Sequence, residues 1–318
     1  MQFVLQVILA RLLLPSDFGI IGMITIFVAV SNVFIDSGFT QALIREKEVT
    51  QSDYSTVFFF NLLMSAGLYI ILFFVSRLIS EFFREPQLVA IIKVLSITFI
   101  INAFGLIPKT ILIKRLDFKT QTKINVLSSV LSGILSILFA ISGFGVWSLV
   151  AKSLSMQLFQ TVFLSLSTRW IPATMFSFSS FRRLFQFGSR LLVAGLINTI
   201  YDNVFFVIIG KLFSANDLGY FTQAKKLSDL SSHSITQSLQ RVMYPAFSYI
   251  KEDNAKLKEV FRKSIKLTSF VSFLLLALLI VSASDIFTLT VGKNWYPSIP
   301  YFQVLCLAGL LYPLHALN

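Results

Sequence analysis

Apolar runs long enough to cross a bilayer recur along this chain, at 18–35, 57–75, 89–107, 124–147, 148–166, 191–210, 268–284 and 301–314. About 20 such residues, rising about 1.5 Å each as a helix, traverse the roughly 30 Å hydrocarbon layer. Inside that layer the backbone finds no water, so only helices or a closed barrel satisfy its N–H and C=O groups. The runs exceed a barrel strand and do not alternate, which leaves helices. A composition of 55% hydrophobic and 13% charged residues excludes an ordinary soluble or disordered chain. The fold class is an all-α polytopic membrane protein. The one cysteine, Cys306, excludes an intrachain disulfide framework.

The stretch 124–166 is too long for one crossing and reads as two helices meeting at a turn of Ser142, Gly143, Phe144 and Gly145. Residues 1–14 are apolar but short, and read as the tail of a first spanning helix whose beginning is absent. A signal peptide would carry a basic leading region and a small-residue cleavage site, and neither is present there.

Between 210 and 264 hydropathy is poor, and charge decides the topology. If 218–247 spans, four loops share one side and carry Arg45 and Lys47; Lys109, Lys114, Arg115, Lys119 and Lys123; Arg169, Arg182, Arg183 and Arg190; and Lys251 through Lys266. The opposite side holds few cations, so the basic side is expected to be the cytoplasm. Ten helices follow, with the net charge of +12 serving orientation and affinity for anionic lipid headgroups rather than nucleic-acid binding. Trp147, Trp170, Trp295 and Tyr296 are expected as interfacial anchors.

Two segments 200 positions apart match: Arg11-Leu-Leu-Leu-Pro-Ser-Asp17-Phe-Gly19 and Lys211-Leu-Phe-Ser-Ala-Asn-Asp217-Leu-Gly219. Each enters a helix, with a Ser/Asn cap expected before the Asp. An offset of six helices preserves orientation and predicts two parallel six-helix lobes, residues 1–185 and 186–318, the second represented by helices 7–10 only.

The block Ala10–Gly19, the segment Ile107–Phe118, Gly143-Phe-Gly-Val-Trp-Ser-Leu149, and Gly210–Phe221 continuing through Gln223-Ala-Lys-Lys226 resemble Wzx-type polysaccharide flippases. That family lies in the multidrug/oligosaccharidyl-lipid/polysaccharide (MOP) exporter superfamily, and the chain is most similar to its colanic-acid and lipopolysaccharide exporter branch. The resemblance implies a MATE-like bundle of two six-helix lobes around a cavity in the bacterial cytoplasmic (inner) membrane. It also implies translocation of undecaprenyl-diphosphate-linked oligosaccharide, with a polysaccharide polymerase and glycosyltransferases as partners.

The polar residues in the spans are the candidate site. Lys225, Asp229, His233 and Gln237 follow helical i, i+4 spacing, widened by Lys226, Gln240 and Arg241. Charged groups at a lipid-facing helix centre cost about 2.5–3.5 kcal/mol each, so the stripe is expected to line a wet interior, unless Lys225 and Asp229 simply neutralise one another. Asn198 and Asp202, with Arg190 toward the cytoplasmic end, form a smaller version one helix earlier. Lys152 either contributes to the cavity or snorkels to headgroups. Lys225, Lys226, Arg190, Arg241 and Lys152 are the candidate phosphate ligands; Asn198, Gln237 and Gln240 the candidate sugar ligands; Asp202, Asp229 and His233 the candidate ion-coupling groups.

With two histidines, neither near a second ligand set, no metal site is expected, and no phosphate-binding glycine loop or nucleophile elbow occurs. No cofactor and no enzymatic activity are therefore expected. A cation-coupled drug exporter of the same superfamily is the alternative, for which intramembrane carboxylates would outnumber cations.

Overall fold

A computed structural model describes residues 2–173, 175–229 and 254–310. The described chain is helical, ordered α1 (Gln2–Leu12), α2 (Pro15–Asp36), α3 (Phe39–Arg45), α4 (Gln51–Phe83), α5 (Leu88–Leu95), α6 (Ile97–Lys114), α7 (Phe118–Ile141), α8 (Trp147–Thr168) and α9 (Phe178–Leu212). After α10 (residues 215–229) come α11 (Asn254–Val281), α12 (Ala283–Thr290), a single 3₁₀ turn at Lys293–Trp295, and α13 (Ser298–Gly309). Among the described residues seven segments are long and apolar enough to cross a membrane, with α2–α3 and α5–α6 each counted as one. The segment 218–247 expected to span lies mostly outside the described residues, of which 218–229 are helical.

Local chemistry fixes the helix boundaries. The α7–α8 turn falls where expected, with Gly143 and Gly145 at φ +80° and +52°, a region that favours glycine. At α4, Thr50 Oγ1 accepts from Asp53 N at 3.3 Å while Asp53 Oδ2 accepts from Thr50 N at 3.0 Å, a reciprocal capping box. The two repeat segments fold alike. Leu14 N donates to Asp17 Oδ2 at 3.0 Å, and 200 residues on Ser214 N donates to Asp217 Oδ2 at 3.1 Å. The cap position is thus residue 14 and 214, not Ser16 and Asn216, which lie inside the helices. An aspartate at the third helical position reaches back to the free N–H whether or not the cap residue has a polar side chain.

The chain packs as two compact units, Met1–Leu218 and Gly219–Asn318. The lobe boundary expected at 185/186 falls inside α9, whose buried glycines bring it against α2. A Cβ on Gly188 would stand 2.6 Å from Ser37 O, and one on Gly210 would touch Met23 and Phe83 at 3.1 and 3.0 Å. Small residues at such crossings let helix backbones approach in a membrane, where burial alone gives no drive to associate. A relay of amides ties the same unit together: Gln157 Nε2 donates to Asn102 Oδ1 at 3.1 Å, and Asn102 Nδ2 to Asn32 Oδ1 at 3.5 Å.

In the second unit, Trp295 is 1% exposed and meets the Tyr220 ring edge-on at 6.1 Å. It is a core residue rather than the expected interfacial anchor, because the 3₁₀ turn carries it back under α10. Phe287 and Phe302 pack edge to face at 5.6 Å and join α12 to α13.

Candidate functional site: an arginine cleft at the basic end

Three of the four loops expected to share the basic side, those carrying Arg45, Lys114 and Arg183, gather at one end of the first unit. Gln51 at the start of α4 holds the 169–177 connection, with Gln51 Nε2 donating to Ile171 O at 2.7 Å and Trp170 Nε1 donating to Gln51 Oε1 at 2.9 Å. Ser55 Oγ and Thr56 Oγ1 accept from Ala173 N and Ser177 N, each at 2.9 Å. Lys114 at the end of α6 donates from Nζ to Leu43 O at 3.2 Å and also to Glu46 O, closing α6 onto α3. Asp117 then caps α7 by accepting from Thr120 N at 3.0 Å, and that hydrogen bond holds its carboxyl below the usual aspartate range.

α9 begins at Phe178 rather than near 191, so Arg182, Arg183 and Arg190 are helical instead of lying in a loop. Ser177 caps it, accepting from Ser180 N at 3.2 Å. Arg183 and Arg190 are seven residues apart and therefore share a face. Opposite them, Ser37 and Gly38 take left-handed φ of +46° and +72°, turning the chain from α2 into α3 and aiming Arg45 at α9. The Arg45 guanidinium sits 4.4 Å from the centroid of the Phe187 ring, a cation–π contact between the two walls.

Arg45, Glu46, Arg183, Gln186, Phe187 and Arg190 line a cleft of about 340 Å³. Arg183 Nη2 reaches Asp53 Oδ1 at 2.6 Å, and the Asp53 side chain is only 2% exposed. A buried carboxylate without its cation would be costly, so this pair fixes the position of α9 against α4. Arg190 has no ion-pair partner among the described residues and is exposed. The cleft therefore offers an excess of guanidinium groups, whose planar donor forks match phosphate oxygens.

Of the residues expected from sequence, Arg190 enters this cleft. Asn198 and Asp202 are exposed further along α9, Asn198 close to the cleft-facing side. Lys152 lies half-buried on α8, its ammonium group in no hydrogen bond or ion pair among the described residues. Lys225 Nζ lies 3.5 Å from Asp229 Oδ2, so the pairing alternative is realised within α10. Lys226 is exposed there. His233, Gln237, Gln240 and Arg241 lie outside the described residues. Sequence reasoning passed over Arg45, Arg183 and Gln186 as site residues. The i, i+7 spacing of Arg183 and Arg190 was the available signal for one wall, and nothing local announces Arg45 on the other.

The helical bundle has counterparts among solved structures. It superposes on the lipid II flippase MurJ in an inward closed conformation with a TM-score of 0.78 at 15% identity, covering 99% of this chain and 72% of that one. It also matches an inward-facing multidrug resistance MATE family transporter of the MOP superfamily, with a TM-score of 0.64 at 15% identity and coverage of 99% and 85%. These likenesses show the fold alone, a multi-pass helical bundle.

The polysaccharide biosynthesis protein family matches residues 8–300, and the chain belongs to it. Its relatives include the teichuronic acid biosynthesis protein TuaB of Bacillus subtilis, 30% identical over 88% of this chain and 59% of that protein. The lipopolysaccharide biosynthesis protein WzxC of Escherichia coli is 24% identical over 96% of this chain and 62% of its own length. The succinoglycan biosynthesis transport protein ExoT of Rhizobium meliloti is 22% identical over 98% and 64%. The chain thus spans about three fifths of the length of these curated relatives.

Proposed function

We propose that the protein is a flippase that moves polyprenyl-diphosphate-linked oligosaccharide from the cytoplasmic to the periplasmic leaflet of the bacterial inner membrane, for surface polysaccharide synthesis. The reading rests on family membership together with one observation: three arginines converge on one cleft with a single lining carboxylate, Glu46. A diphosphate cannot enter hydrocarbon unaided, so a carrier must supply cations along a hydrated path while the lipid tail stays in the bilayer. An excess of cations also disfavours the cation-coupled drug exporter. In this scheme Arg45 and Arg190 take the diphosphate first, and Lys226, Lys152 and Arg241 serve later in its path, while Lys225 is held by Asp229. Asn198, Gln237 and Gln240 bind sugar, and Asp202, Asp229 and His233 carry any ion coupling. Alternating access of the cavity moves the headgroup, with no cofactor and no bond made or broken, which makes this a transporter rather than an enzyme. Glycosyltransferases supply the substrate and a polymerase consumes it.

The test is the double substitution Arg45→Ala, Arg190→Ala in the full-length protein, expressed in a host whose surface polysaccharide depends on it. Export is expected to fall to background with membrane abundance unchanged, and Arg190→Lys alone to retain part of it. Wild-type polysaccharide in the double variant overturns the reading.

A further inference from the structure

α9 presents a second, apolar concavity beside the arginine cleft. Phe178, Phe181, Arg182, Phe185 and Gln186 line a groove of about 580 Å³. Gln186 lines both this groove and the cleft, so the two meet along the helix. Helical spacing explains the division: Phe178, Arg182 and Phe185 lie on one side, Arg183, Phe187 and Arg190 on the next, with Gln186 at the seam. The Phe181 and Phe185 rings stack at 5.3 Å and 13°, giving the groove a flat aromatic floor. Phe178 is 70% exposed, and the same side continues through Val193 and Ile200, 58% and 49% exposed. An apolar track therefore leaves the cleft and runs along α9 toward the middle of the helix.

We propose that this groove seats the first isoprenoid units of the substrate's lipid tail while the arginine cleft holds the attached diphosphate. The proposal rests on the flippase reading and adds a tail subsite to it. The charge arrangement selects the occupant. A headgroup anion bound by Arg45 and Arg190 must have its hydrocarbon leave on one side of the cleft, and the aromatic floor borders the cleft directly. Branched, unsaturated isoprene units offer methyl and alkene faces to aromatic rings, while the tail beyond them follows Val193 and Ile200 into the acyl region. A phospholipid acyl chain is the competing occupant, and the experiment separates the two.

The full-length protein, in lipid nanodiscs, is titrated with undecaprenyl diphosphate and separately with inorganic diphosphate. Phe178→Ala is expected to weaken the first about tenfold and leave the second unchanged, since truncating a largely exposed ring removes tail contact without touching the cleft. Arg190→Ala is expected to weaken both. A farnesyl diphosphate bearing a benzophenone is expected to crosslink within residues 178–190, and an excess of phosphatidylglycerol to leave that crosslink intact. Unchanged affinity in Phe178→Ala, crosslinking elsewhere, or displacement by phosphatidylglycerol overturns the tail seat. If Arg190→Ala still weakens both probes in that case, the flippase reading stands without it. If neither variant alters either probe, both fail.

Discussion

The closest backbone approach on α9 sets the position of everything the helix carries, and it is testable by adding one carbon. A Cβ at Gly188 would fall 2.6 Å from Ser37 O, about 0.8 Å short of an ordinary contact, and one at Gly38 would fall 2.5 Å from Gly188 O. The obstructing atoms are backbone on both sides, so relief requires α9 to move away from the α2–α3 corner rather than a side chain to rotate. Overpacking of this kind costs about 1–3 kcal/mol. Gly38→Ala adds about 1–2 kcal/mol more for a left-handed residue at φ +72°. Against this, alanine in a helix interior is favoured over glycine by up to about 1 kcal/mol, which applies to Gly188 and equally to Gly67 in α4, where an added Cβ meets nothing within 4 Å. The order of thermal midpoints in the detergent-solubilised full-length protein is therefore expected to be Gly67→Ala at or above wild type, then Gly188→Ala, then Gly38→Ala lowest. A Gly188→Ala protein as stable as Gly67→Ala refutes the close approach, and with it the placement of Arg190 opposite Arg45.

Asn61 is fully buried on α4 and neither atom of its amide has a hydrogen-bond partner among the described residues. A buried amide in that state costs about 1–3 kcal/mol, so Asn61→Leu is expected to raise the unfolding midpoint; a lowered midpoint with lost export would instead assign the amide to the transport cycle. Asp117, held below its ordinary pKa by the Thr120 N–H, stabilises the start of α7 above the unfolded-state value. That contribution fades as pH falls through the lower folded-state pKa. The destabilisation of Asp117→Ala measured at pH 7 is accordingly expected to shrink on acidification, and a difference constant down to pH 3 would contradict the assignment.

Features set by neighbouring residues were legible before any coordinates. The turn at 142–145 follows from two glycines in an otherwise unbroken apolar run, and the likeness of the turns at 11–19 and 211–219 follows from their matched residues, although the caps fall at Leu14 and Ser214 rather than at Ser16 and Asn216. Hydropathy misplaced the start of α9, because Arg182 and Arg183 depress it where the Ser177 cap and the aromatic spacing still specify helix. Trp295 was misjudged for a related reason: tryptophan at a predicted membrane boundary is ambiguous until the 3₁₀ turn is known to fold it inward.

The arginine cleft was half legible, and the missing half is informative. Arg183 and Arg190 are related by helical period, a local property, whereas Arg45 reaches Phe187 only because two consecutive left-handed residues, Ser37 and Gly38, redirect the chain and because Gly188 admits that corner. The cleft's second wall is thus encoded by residues with no charge at all. Asp53 acts similarly from behind: in capping α4 it also pins Arg183, leaving Arg190 without an ion-pair partner among the described residues. A cation already neutralised by the protein is a poor phosphate ligand, so the separation of Arg183 as anchor from Arg190 and Arg45 as ligands follows from pairing rather than from position. Substituting Arg183 should accordingly destabilise the fold, whereas substituting Arg190 should leave it intact and remove binding.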